Sequence, residues 1–254
     1  MKLFRSLILI VVVLLVIAAV VAATCPAEYA YRLVADRLGA VKLSGISGSV
    51  WNGHAASAQV FGQELGALDW QLHAAPLLGG ELLAHVDLNG GDVTAAGTVD
   101  RNVGGTISVR DATFHMPAHM AAPALDIPAL DLLGEIDGKL ARAQLHGAWV
   151  DDASGSLRWN HAAVSGAAQA QLGDLEATFS SAPDGSIAGV VHDLGGPLQV
   201  AGTFKVAAGS FDAEAKLAAR DDNPQVMEAL RYIGQAQADG TSLLIIHGGL
   251  LKLF

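Results

Sequence analysis

Leu198-Gln199-Val200-Ala201-Gly202-Thr203-Phe204-Lys205-Val206 and, four residues on, Phe211-Asp212-Ala213-Glu214-Ala215-Lys216-Leu217 decide the fold class. In both stretches apolar or small residues alternate with polar ones. A period of two is what a strand with one buried face requires. The same alternation occurs at Leu68, Trp70 and Leu72, at Leu82, Ala84, Val86 and Leu88, and at Leu175, Ala177 and Phe179. Asn89-Gly90-Gly91-Asp92 reads as a hairpin turn into Val93 to Val99, and Asn102 to Gly105 turns the chain toward Ile107 and Val109. Such spacing predicts a mainly β protein, a Gly-rich, antiparallel, curved meander with a few short helices.

The passage holding Pro117, Pro123 and Pro128 is expected to interrupt the sheet, since proline cannot donate to a central ladder. Helices are predicted at two places. Pro26 to Leu38 pairs a first-turn proline with Tyr29, Leu33 and Val34 and stops at Gly39. Asp222-Asn223-Pro224 caps a second, with Val226, Met227, Leu230 and Ile233 on one face and Gly234 as the stop. Asp239-Gly240 then turns the chain into a final apolar strand, Ser242 to Ile246, and the tail Leu250 to Phe254 is read as sheet edge or contact surface.

Composition narrows the function classes. The 254 residues hold 15 Lys+Arg against 25 Asp+Glu, the wrong sign for a nucleic-acid backbone partner. With 52% hydrophobic residues and a mean hydropathy of +0.40 the chain is too apolar for disorder. Cys25 is the sole cysteine, so an intramolecular disulfide and a cysteine metal cage are excluded.

Leu7 through Ala23 contains no charge and no proline and follows Lys2 and Arg5. Seventeen residues at 1.5 Å each span roughly 26 Å, enough with Ser6 and Thr24 to cross a bilayer. The expected organisation is a cytoplasmic start at 1–5, a transmembrane anchor at 6–24 and a periplasmic β region at 25–254. A cleaved signal peptide and lipoprotein processing at Cys25 are the alternatives for this segment. With Lys2 and Arg5 set aside, 13 basic residues face 25 acidic ones in the exported part, a net charge of −12.

A weak repeat runs through that part. Gly48-Ser-Val-Trp51-Asn52-Gly53-His54-Ala55-Ala56 returns as Gly155-Ser-Leu-Arg-Trp159-Asn160-His161-Ala162-Ala163. Leu65-Gly-Ala-Leu-Asp returns as Leu172-Gly-Asp-Leu-Glu, at an offset of 107 residues. An extra residue before Trp159 breaks the first phrase. Either two similar β units exist, at about 43–115 and 140–220, or Gly- and Ala-rich strands coincide.

Catalytic patterns are missing. No His-Glu pair occurs among nine histidines, and Pro117 between His115 and His119 breaks the helix that would align them, leaving both as loop histidines. Gly134-Glu-Ile-Asp-Gly138-Lys139 is one residue short of a phosphate loop and lacks its Ser or Thr, so it reads as a turn. Neither a Gly-x-Ser-x-Gly elbow nor a Gly-x-Gly-x-x-Gly fingerprint is present. Asp151-Asp152 and Asp221-Asp222 read as solvated acids beside turns. The tryptophans at 51, 70, 149 and 159 are read as core, Trp70 most clearly. No catalytic, cofactor-binding or metal-ligating residue is assigned, and no cofactor is expected. Gly48, Trp51, Gly53, Trp70, Gly155 and Trp159 are assigned as fold-signature or interface positions.

Leu43-Ser-Gly45-Ile-Ser-Gly48-Ser-Val-Trp51-Asn-Gly53, Leu68-Asp-Trp70, Gly155-Ser-Leu157-Arg-Trp159, Leu194-Gly-Gly-Pro-Leu-Gln-Val-Ala-Gly202 and Ala229-Leu-Arg-Tyr-Ile-Gly234 occur in that order behind the anchor, ahead of Asp239-Gly240 and Gly248. Together these phrases resemble protein N of the bacterial type II secretion system. The resemblance implies a non-enzymatic accessory subunit of the inner-membrane platform. Its partners would be the other platform subunits and the outer-membrane secretin, and its work the export of folded proteins. Residues 110 to 140 match none of these phrases. A second expectation, of another class, is a periplasmic lipid carrier like the AsmA-like proteins, whose Gly-rich meanders this chain also resembles.

Overall fold

The computed structural model describes residues 25–37, 39, 41–60, 62–122, 129–146, 149–207 and 210–248. The predicted anchor and the tail beyond Gly249 lie outside the described residues. Among the described residues no helix is long and apolar enough to cross a membrane. The chain divides into two compact units, Met1–Gly90 and Gly91–Phe254.

The first unit is a four-stranded antiparallel meander: β1 (Val41–Gly48), β2 (Asn52–Val60), β3 (Gln63–Leu72) and β4 (Leu82–Asn89). Helix α1 (Ala27–Val34) precedes it and packs on β1. Its inward residues are Ala27, Ala30 and Tyr31, with the Tyr31 hydroxyl accepting the Leu43 N–H at 3.0 Å. Tyr29 and Leu33, the apolar residues noted in this stretch, are 64% and 81% exposed. A one-turn helix, α2 (Ala74–Leu77), joins β3 to β4.

The second unit continues with β5 (Thr94–Arg101), β6 (Ile107–Pro117), β7 (Leu130–His146), β8 (Trp149–Gly166), β9 (Ala170–Ser181), β10 (Ile187–Asp193), β11 (Leu198–Ala207) and β12 (Ser210–Ala219). From β5 to β11 each pairs antiparallel with its successor. The chain then leaves the sheet for helix α3 (Pro224–Ala229). It returns as a short β13 (Gln235–Ala236) and as β14 (Ser242–Gly248), which pairs with β12. Asn223 caps α3 as its sequence predicts, its side-chain oxygen accepting from the N–H groups of Gln225 and Val226 at 3.1 Å. Val226, Ala229, Leu230 and Ile233 are buried over the ends of β9 and β12; Met227, placed on the same face by the sequence, is exposed.

Several expectations are corrected in this unit. Gly134 to Leu140 is the middle of β7, not a turn. Gly134 has φ +98° there, and a Cβ on it would lie 2.5 Å from the Asn160 carbonyl oxygen, so the glycine marks a bulge. Pro117 is the last residue of β6, where a missing N–H costs the ladder little, and His115 sits inside that strand rather than in a loop. Asp151 and Asp152 lie in β8, with Asp152 bonded to Arg142 at 2.7 Å. Pro123 and Pro128 are outside the described residues.

Candidate functional site: apolar sheet faces and an open edge

The register places the apolar residues of each unit on one side of its sheet. In the second unit, Ala177, Val191, Gly202, Ala215 and Leu244 follow one another across β9 to β14 as paired neighbours, and Phe179, Gly189, Phe204, Ala213 and Ile246 form the next row. A nearly all-apolar cleft of about 350 Å³ opens on this face, walled by Trp159, Leu175, Leu198, Ile233 and Leu244 among others. In the first unit an apolar cleft of about 330 Å³ lies between α1 and the sheet, walled by Tyr31, Leu43, Leu68, Trp70 and Val86 among others.

A single device recurs on both faces. Large rings occupy the space over glycines of the neighbouring strand, where no Cβ intervenes. Gly53 is buried opposite Trp70, and a Cβ there would fall 2.0 Å from the indole. Phe114 covers Gly138, Phe179 covers Gly155, and Phe204 covers Gly189 in the same way. Of the six positions singled out from sequence, three take part. Trp70 covers Gly53 and donates its indole N–H to the Val50 carbonyl at 3.1 Å. Gly155 makes room for Phe179 and for the Lys139 carbonyl, 2.4 Å from its would-be Cβ.

The other three serve the backbone. Gly48, at φ +80°, ends β1, because a Cβ would meet the Asn52 carbonyl oxygen at 2.6 Å. Trp51 lies in the turn that follows, its carbonyl accepting the Leu72 N–H at 2.7 Å. Trp159 is in mid-strand, its N–H donated to the Leu133 carbonyl at 2.9 Å. The structure brings Gly48, Gly53 and Trp70 to one row of the first unit, and Gly155 and Trp159 to one strand of the second. Sequence reasoning missed Gly138 with Phe114 and Gly189 with Phe204. Their signal is a mid-strand glycine whose cross-strand partner is aromatic, visible only once the register is known.

The opposite face is polar and sets four of the nine histidines against acids. His54 and Asp69, His115 and Asp137, His192 and Glu176, and His247 and Asp212 are directly opposite each other in register, with nitrogen–oxygen distances of 2.8, 2.8, 3.4 and 2.7 Å. Among the described residues no group of three or more His, Cys, Asp or Glu could hold a metal ion. Several carboxylates are held as anions. The Lys205 ammonium and Ser186 keep Asp184 far below the usual range, and Lys216 and Thr241 do the same for Asp239. Burial raises Asp193, but the N–H groups of Val200 and Gly195 and the Arg220 guanidinium at 2.5 Å outweigh it and leave its pKa lowered.

The outer side of β14 is largely unpaired among the described residues. β14 bonds β12 along its whole length, whereas on its other side β13 reaches only Ser242 and Leu243. Leu244 to Gly248 therefore present free backbone groups, flanked by Ile245, which is 43% exposed.

Comparison with known proteins joins these features to a family. The model of the family described as type II secretion system (T2SS), protein N, matches residues 39–243, which includes the middle stretch left unassigned by the sequence phrases. The chain is 30% identical over 145 residues to the type II secretion system protein N of Vibrio cholerae, 55% of this chain and 57% of that protein. To the protein of the same name from Aeromonas hydrophila it is 30% identical over 143 residues, 54% of this chain and 55% of that one. The chain thus spans about half the length of the curated relatives it matches. No solved structure matches. Since the family match runs from before β1 into β14, across the glycines and aromatic rings that build both faces, the chain belongs to the family of type II secretion system protein N.

Proposed function

We propose that this chain is an accessory inner-membrane subunit of the type II secretion system. It is held by an anchor at residues 6–24, keeps its β units in the periplasm and contributes to export of folded proteins through contacts, without catalysing a reaction. The observation that carries the reading is the family match over residues 39–243. The open side of β14 gives those contacts a physical form, because an unpaired strand can accept an extended segment of a neighbour. The platform subunits and the secretin are the proposed neighbours. An AsmA-like lipid-carrying role finds no support in the family match or in the relatives, and it is not pursued.

The test places a photo-crosslinking residue at Ile245 or His247 in the full chain, in cells with an intact secretion system. Adducts with other secretion subunits, lost in their deletion strains, are expected. Absence of such adducts from both positions, with unimpaired exoprotein export in a strain lacking this chain, overturns the reading.

A further inference from the structure

The segment between β3 and β4 is unlike the other connections described here. From Ala74 to Gly80 it carries no charged side chain, and Leu78, at 94%, is the most exposed large hydrophobic residue among the described ones. Leu77 beside it and Leu82 at the start of β4 are exposed as well. The segment is nonetheless ordered from within. Leu78 and Gly79 donate their N–H groups to the carbonyls of Ala75 and Pro76, Gly80 donates to Leu77, and Glu81 donates to Pro76. Pro76 has no N–H to satisfy. An apolar tip whose backbone bonds to itself suits a medium without hydrogen-bonding partners better than it suits water.

Its position within the first unit says which medium. The Cys25 carbonyl accepts the Val50 N–H at 3.0 Å, and Pro26 bridges Ser49. The next turn residue, Trp51, holds Leu72, and His73 donates to the Leu83 carbonyl at 2.9 Å. The point where the chain enters the unit and the root of the Leu77-Leu78 tip are therefore at the same end of the meander, linked by consecutive backbone hydrogen bonds. The apolar run Leu7 to Ala23 ends two residues before Cys25, which at roughly 3.5 Å per residue leaves less than about 10 Å between them.

We infer that the tip Ala74–Gly80 inserts Leu77 and Leu78 into the surface of the bilayer from which the anchor emerges, so that the first unit stands on the membrane at two points. The inference rests on the proposed anchor. Its far end is the turn at Gly62 and Gln63, about 30 Å along β3, which stays in water.

The test uses the full chain with Cys25→Ser, reconstituted in phosphatidylcholine–phosphatidylglycerol vesicles containing nitroxide-labelled acyl chains. An environment-sensitive fluorophore is placed on Leu78→Cys, Gln63→Cys or Val16→Cys. A blue shift and loss of emission at position 78, with none at 63, is expected. An unquenched probe at 78 with a quenched one at 16 overturns the inference and leaves the anchor standing. An unquenched probe at 16 removes the anchor reading, on which the inference rests, and overturns both together. Equal quenching at 63 and 78 also overturns it, because the contact is then not confined to this end.

Discussion

The pairs β2/β3 and β8/β9 carry the two copies of the repeated phrase, and their geometries agree at the glycine and diverge at the tryptophan. Gly66 and Gly173 have φ of +108° and +90°, and a Cβ on either would strike the Cα of another glycine, Gly90 at 2.1 Å or Gly196 at 2.5 Å. The alanines at the same offset, Ala55 and Ala162, are both fully buried. Trp51, however, lies in a turn ahead of β2, whereas Trp159 is ladder-bonded on both sides within β8. Both phrases are nine residues long, because the second adds Arg158 before the tryptophan and drops the counterpart of Gly53 after the asparagine, and Arg158 has a partner of its own. Asp174, where the first copy has Ala67, accepts the His161 N–H and the Arg158 guanidinium, each at 2.9 Å. His161 itself has φ +50° where the register shifts between Trp159 and Ala162, and the carboxylate satisfies the N–H that this bulge releases. Backbone crowding is thus the shared feature, and the side chains are local solutions to a tryptophan shifted by one position.

Substitutions can break this comparison at the glycines first. Gly66→Ala and Gly173→Ala add both a disfavoured φ and a backbone clash, and each is expected to cost about 3 kcal/mol or more, read as a fall in the urea midpoint. Gly185→Ala, with φ +79° and open space around it, should cost about 1 kcal/mol. Equal losses at all three would show that conformation, not contact, is what the two copies share.

Trp70→Ala should destabilise by about 3 kcal/mol through the cavity it leaves over Gly53. In Gly53→Ala the added methyl competes with that ring, and pairing it with Trp70→Leu should restore part of the loss. A purely additive double variant would separate the two residues energetically.

Asp174→Ala sharpens the comparison where the copies differ. It leaves the His161 N–H and Arg158 without a partner and should cost about 1–2 kcal/mol, while Ala67→Ser in the first unit should change little. The pKa of Asp174 is lowered, first by the His161 N–H and then by Arg158. A carboxylate with a depressed folded-state pKa contributes stability that is present above its unfolded value near 4 and is lost as pH falls through the folded one. Asp174, Asp184, Asp193 and Asp239 all belong to the second unit and all act in this direction. The unfolding midpoint of the wild type should therefore drop as pH goes from about 5 to 2, less steeply in Asp174→Ala. The smallest effect belongs to Glu28→Gln, which removes an exposed pair with Arg32 on α1 and should change stability by less than about 0.5 kcal/mol.

Much of the fold was legible in advance wherever period two was carried by bulky side chains, as in β3, β9, β11 and β12. Asn223-Pro224 announced α3 because a capping side chain and a first-turn proline act locally. β7 was hidden because Gly134-Glu-Ile-Asp-Gly138 has the composition of a turn. Only the contact of Gly134 with Asn160 and the seating of Phe114 on Gly138 make those glycines strand residues. The tip at Leu77-Leu78 was equally silent, since two leucines beside two glycines look like a buried strand end until their exposure is seen.

By itself the sequence determined that this is an antiparallel β protein with small residues in place of a bulky core, because alternation and capping are properties of neighbouring residues. Which glycines meet rings or other backbones, which sheet edge stays open and which end of the first unit receives the chain were decided by tertiary structure. Those features depend on register, and register is a relation between residues tens of positions apart that the shifts at its bulges reset from strand to strand.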